Sequence, residues 1–128
     1  MRNVARAGVG LVGLFNLLLG LGFLIDPAQS GLRFFLVSLG TQGLATMRAD
    51  FTAFFVTGGL CALIAAWRSW RLPLAVPLLL LGIAVFGRAV SLVADGATGT
   101  AYPPMVVELV MIAVAAFGWR HVEAEARL

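Results

Sequence analysis

The chain has no lysine, one cysteine, one histidine and one tyrosine, and charged residues make up only 12% of it. Each scarcity removes a class of protein. Cys61 has no partner for an intrachain disulfide, which excludes a disulfide-stapled secreted domain, and its apolar surroundings make it a small packed side chain. His121 lies past the last apolar segment, beside Trp119 and Arg120, so no imidazole sits in the interior to ligate zinc or haem. Nucleotide fingerprints, phosphate loops and nucleophile elbows are missing too, which withdraws support from redox, phosphoryl-transfer and serine-type mechanisms. No metal and no cofactor is expected. All nine basic residues are arginines, but they flank apolar stretches singly or in pairs, without the basic stripe or aromatic interleaving of a nucleic-acid surface. No nucleic-acid partner is expected.

What the chain has in abundance is apolar residues, at 61%. So little charge cannot cover a water-facing surface, and the bilayer must be the solvent. A bilayer crossing takes roughly 20 apolar residues. Four segments qualify, at 4–25, 51–67, 73–94 and 104–119. The first follows Arg2 and Arg6 in the manner of a signal peptide, yet it exceeds the h-region of about 7 to 15 residues, and only the weak Ala28-Gln29-Ser30 imitates a cleavage site. It is expected to be a retained helix. A softer stretch at 32–45 is interrupted by Arg33, Ser38, Gly40, Thr41, Gln42 and Gly43, and is short for a span, so it is expected to be an interfacial or re-entrant helix. The expected fold is an all-α membrane protein, a bundle of four transmembrane helices in one domain over 1–128.

Arginine concentrates on the cytoplasmic side of short loops. Four spans place Arg2, Arg6, Arg68, Arg71, Arg120 and Arg127 on one side and only Arg33 and Arg48 on the other. Counting 32–45 as a fifth span would leave Arg2, Arg6 and Arg48 inside against five arginines outside, which reverses the rule. Both ends of the chain are therefore expected in the cytoplasm. Trp67, Trp70 and Trp119 fall where spans meet that interface, as an aromatic belt requires. Gly58, Ala62 and Ala66 on the second span, with Gly13 and Gly20 on the first, form smooth strips suited to close helix packing.

The residues that carry information are charged ones in or beside the spans. Arg88 lies ~10 Å and Glu108 ~6 Å below the non-cytoplasmic ends of their helices, at ~1.5 Å of rise per residue, and Arg48 and Asp50 open the second span on the same side. An isolated charge in hydrocarbon costs at least ~2.5 to 3.5 kcal/mol, so these groups are expected to face inward and pair, Arg88 with Glu108 and Arg48 with Asp50. Asn16, Ser91, Asp95 and Tyr102 add polar groups nearby. Together Arg48, Asp50, Arg88, Glu108, Asn16, Ser91 and Tyr102 are candidate ligand contacts lining an outward-opening pocket. Arginine's planar fork suits a carboxylate, phosphate or sulfate head, and Glu108 in a low-dielectric layer suits proton transfer. Structural readings stand beside these. The charges would also fix helix register, Asn16 would serve as an interhelical hydrogen bond, and Tyr102 beside Pro103 and Pro104 as an interfacial anchor.

Arg48-Ala49-Asp50-Phe51 before the second span, Gly87-Arg88 in the third and Glu108 in the fourth resemble a bacterial family of unknown function, over roughly 4–119. The resemblance implies a small four-span protein of the bacterial inner (plasma) membrane and singles out those four charged residues, without bringing an activity. Three readings of function follow. One is a binding protein for a lipid or small lipophilic ligand. Another is a cofactor-independent isomerase, hydratase or hydrolase acting on a lipophilic substrate, with Glu108 or Asp50 as acid or base and Arg88 or Arg48 stabilising developing negative charge. The third is an accessory subunit whose charges are purely structural. Membrane lipids and a second copy of the chain are the expected partners, and proton-coupled transport would require such a dimer.

Overall fold

A computed structural model describes residues 1–123. Its helices are α1 (Arg2–Ile25), the short α2 (Pro27–Leu32), α3 (Gly40–Arg68), α4 (Ala75–Ala94) and α5 (Tyr102–His121), with a 3₁₀ turn at Leu72–Leu74 leading into α4. Four helical stretches, α1, α3, α4 with its 3₁₀ turn, and α5, are long and apolar enough to cross a membrane. The architecture is the all-α four-helix bundle that the hydropathy pattern calls for. Arg127, counted above among the topology signals, lies outside the described residues.

One boundary differs from expectation. The stretch 32–45 is not a single interfacial element: Asp26 caps α2 by accepting a hydrogen bond from the Gln29 amide (3.1 Å), and Pro27 supplies a preset φ at the first turn. α2 ends at Leu32, a turn with Phe35 at φ 59° follows, and Gly40 at φ 61° starts α3. The second span thus begins eleven residues before position 51. At ~1.5 Å per residue its 29 residues reach ~43 Å, well beyond a hydrocarbon core of ~30 Å. Polar Thr41, Gln42, Arg48 and Asp50 interrupt the hydropathy without interrupting the helix, since they lie on its exposed surface.

The tightest pair is α1 with α3. A Cβ on Gly59 would lie 2.7 Å from the Leu17 amide nitrogen and 2.8 Å from the Gly13 carbonyl, so the two backbones touch here and only glycine fits. Gly13 and Gly20 contribute as expected, a Cβ on Gly20 falling 2.6 Å from Val56. Gly58 does not: it faces Leu80 of α4 at ordinary distance, and Gly59 beside it makes the close approach. Two arginines then stitch the pair reciprocally. Arg6 of α1 donates to the carbonyls of Ala66 (2.8 Å) and Trp67 (3.3 Å) at the C-terminus of α3, and Arg48 of α3 donates to Leu24 (3.1 Å) at the C-terminus of α1. Each cation satisfies a helix-end carbonyl and meets the negative end of the helix dipole.

The core forms three layers along the bundle. Val9, Ala62, Ala65 and Leu74 lie at the end holding Arg2 and His121, Val12, Leu81 and Met111 in the middle, and Phe23, Met47 and Phe55 at the opposite end. The first is the arginine-rich end, closed by the Arg2–Glu123 ion pair (2.9 Å) and by Arg71 set 5.5 Å over the Trp119 ring. The far end is less closed. α4 buries only Pro77 and Leu81, both in its first half, and beside Gly82 and Gly87 a Cβ would meet nothing within 4 Å. Beside this weakly buried half of α4 the polar residues gather.

Candidate functional site

Arg88 of α4 and Glu108 of α5 form the pair expected from their depth. The Arg88 Nε lies 3.0 Å from both Glu108 carboxylate oxygens, with the carboxylate 13% exposed and the guanidinium 35%. They meet because α4 and α5 run antiparallel, joined by a short connection, which brings the end of one beside the start of the other. Charge-assisted contacts of this kind compensate two ions that apolar surroundings would otherwise penalise by several kcal/mol each. The bonds use only Nε, and neither terminal nitrogen of Arg88 bonds to a described residue.

The second expected pair is absent. Arg48 reaches the Leu24 carbonyl instead, and Asp50 makes no hydrogen bond or ion pair among the described residues. Helix geometry explains the difference: residues two apart point to nearly opposite sides, so within a continuous α3 Arg48 turns toward α1 and Asp50 away from it. The four charges therefore do not form one neutral layer.

Asp50, Arg88 and Glu108 instead line a common cavity of about 290 Å³ between α3, α4 and α5. Its other walls are Phe34, Phe51, Phe54, Phe55 and Ala84. The phenylalanines are held by one another and by Phe23, which is fully buried beneath them. Phe23 stacks on Phe51 with centroids 4.7 Å apart and lies 5.3 Å from Phe34, while Phe54 sits edge-on to Phe55 at 5.1 Å. Offset-stacked and edge-to-face rings gain about 0.5 to 1.5 kcal/mol per pair beyond burial, which favours this arrangement of the wall. On α3 its members fall at 51, 54 and 55, the i, i+3, i+4 spacing of a single helix face. That spacing was present in the sequence, but among so many apolar residues it carried no contrast.

The remaining candidates divide. Ser91 lies in a second cavity, about 500 Å³, which shares Ala84 and Arg88 with the first and adds Asp95 and Thr98. Arg88 thus stands between an aromatic chamber and a polar one. Asn16 is buried in the centre of the bundle and spends its amide on the Val12 carbonyl (2.9 Å) and the Met111 sulfur (3.2 Å), tying α1 to α5. Tyr102 is half exposed at the start of α5 and lines neither cavity. No group of three or more histidine, cysteine or acidic side chains able to hold a metal occurs among the described residues. The aromatic cavity offers one carboxylate without a partner among the described residues, one internally paired arginine with donors to spare, and an aromatic wall. Comparison with protein-family models, curated proteins and solved structures finds no match to this chain.

Proposed function

We propose that this chain is a membrane-embedded binding protein for a small lipophilic molecule, held in the cavity between α3, α4 and α5. One observation carries the reading: four phenylalanine rings and a partly buried Arg88–Glu108 pair face the same cavity, with Asp50 on its rim. An apolar chamber with a few convergent polar groups is the usual form of a ligand site, and its volume of about 290 Å³ falls just under the ~300–1,000 Å³ range, a size for a small molecule. The chamber lies beside the half of α4 that contributes no buried residue, which gives a lipid-dissolved molecule a lateral way in. An acid-base enzyme has less support, since both oxygens of Glu108 lie against Arg88, and Asp50 alone of the carboxylates lining this cavity has no partner among the described residues. Within this reading the protein resides in a bacterial inner membrane. Its arginine-rich end, with Arg2, Arg6, Arg68, Arg71 and Arg120, faces the cytoplasm, and the cavity lies toward the outer leaflet.

The test is native mass spectrometry of protein extracted in a mild detergent. Wild type is expected to carry a copurifying small molecule. The R88A/E108A double variant, which removes both charges at once and so strands neither, is expected to elute as a folded species with that mass lost. Equal retention of the same adduct by both proteins would overturn the reading.

A further inference from the structure

We infer that the cavity selects a lipophilic cation, a molecule with an apolar body and an ammonium head, an inference that rests on the cavity being a ligand site. The arginine forks visible in the sequence suggest an anionic head, but the charge balance of the cavity points the other way. Arg88 is neutralised where it stands by Glu108, at 3.0 Å from each oxygen. Neither of the other two cations at this end lines the cavity: Arg48 is spent on the Leu24 carbonyl, and Arg33, just past the end of α2, is exposed. What remains is Asp50, an exposed carboxylate on the cavity rim with no hydrogen bond or ion pair among the described residues. One cation against two carboxylates leaves the lining with a formal excess of one negative charge.

The rest of the lining agrees. Phe34, Phe51, Phe54 and Phe55 surround the same space, and the negative faces of aromatic rings attract a desolvated ammonium. An anionic head placed there would meet Asp50 and the ring faces as repulsive neighbours. A cation gains from both, and its ion pair with Asp50 would restore neutrality to the chamber.

Three probes with one body and different heads, 4-phenylbutylammonium, 4-phenylbutanol and 4-phenylbutyrate, test this by calorimetric titration of the full chain in maltoside micelles, with empty micelles subtracted. The ammonium is expected to bind roughly tenfold or more tightly than the alcohol, and the carboxylate more weakly than either. D50N is expected to bring the ammonium down to the alcohol's affinity. An alcohol or carboxylate that binds as tightly as the ammonium overturns the cation assignment and leaves the cavity reading standing. Absence of saturable binding by all three overturns both. Adding phosphatidylethanolamine to the micelles separates two sources of the same chemistry. A weakened apparent affinity for the probe marks a lipid headgroup ammonium as the occupant, and an unchanged one marks a free amine.

Discussion

At the residue scale, charge inside an apolar segment is the most legible signal a membrane sequence offers, because each such group must be compensated. Arg88 and Glu108 could be paired from depth alone. Arg48 could not be placed, since its partner is a backbone carbonyl, and every helix end supplies unsatisfied carbonyls that leave no mark in a sequence. Its position predicts a structural role. R48Q should lower the stability of the bundle by about 0.5 to 2 kcal/mol through loss of the α1 cap, while occupancy of the cavity by its ligand stays at the wild-type level. Denaturant titration beside native mass spectrometry separates the two quantities, and a loss of ligand without a loss of stability would return Arg48 to the site. The phenylalanine wall was hidden for the opposite reason. Phe51, Phe54 and Phe55 share a face at helical spacing, but in a span that is apolar all round, periodicity does not distinguish a face lining a cavity from one lining lipid.

At the element scale, the four spans were readable from hydropathy and their number from the arginine count, but the start of α3 was not. The hydropathy of 32–45 falls because polar groups sit on an exposed surface, and a window average cannot tell that from a break in the helix. Packing was half readable. Small residues on α1 and α3 announce close approach, yet which of the adjacent Gly58 and Gly59 makes it depends on helix rotation, set by all four spans together. The structure separates the glycines sharply. G59A places a methyl 2.7 Å from the Leu17 nitrogen and 2.8 Å from the Gly13 oxygen, both backbone atoms that cannot swing aside. G82A meets nothing within 4 Å. Overpacking of this kind costs about 1 to 3 kcal/mol, while an open helical site gains up to about 1 kcal/mol from replacing glycine with alanine. G59A should therefore unfold at lower denaturant than wild type and G82A at equal or higher denaturant. Equal effects of the two would mean that α1 and α3 are not in backbone contact.

At the scale of the whole molecule, the bundle is unevenly held. α1 has a third of its apolar window buried (33%), whereas the window of α4 is only 11% buried. The buried residues of α4 end at Leu81, so its first half is fixed by the Leu74 layer and by Leu81 against Val12 and Met111, while its second half has only partly buried residues and the Arg88–Glu108 pair to hold it. A helix anchored at one end and latched at the other can swing about the anchored part. The aromatic cavity lies beside that second half, so a ligand that bridges Asp50 of α3 and the α4 wall would hold the two helices together. Spin labels test this in a Cys61→Ser background. One pair at Ala45 and Val93 spans the far end of the α3–α4 seam, and a second pair at Ile64 and Leu79 spans the arginine-rich end. All four side chains are exposed, and none lines the aromatic cavity. The first pair should give a broad distance distribution that narrows when 4-phenylbutylammonium is added, and R88A/E108A should broaden it further. The second pair should be narrow throughout, because Leu74 and Leu81 hold α4 at that end whatever occupies the cavity. Two equally narrow distributions, indifferent to ligand, would mean that α4 is rigid and that entry to the cavity does not run through this seam.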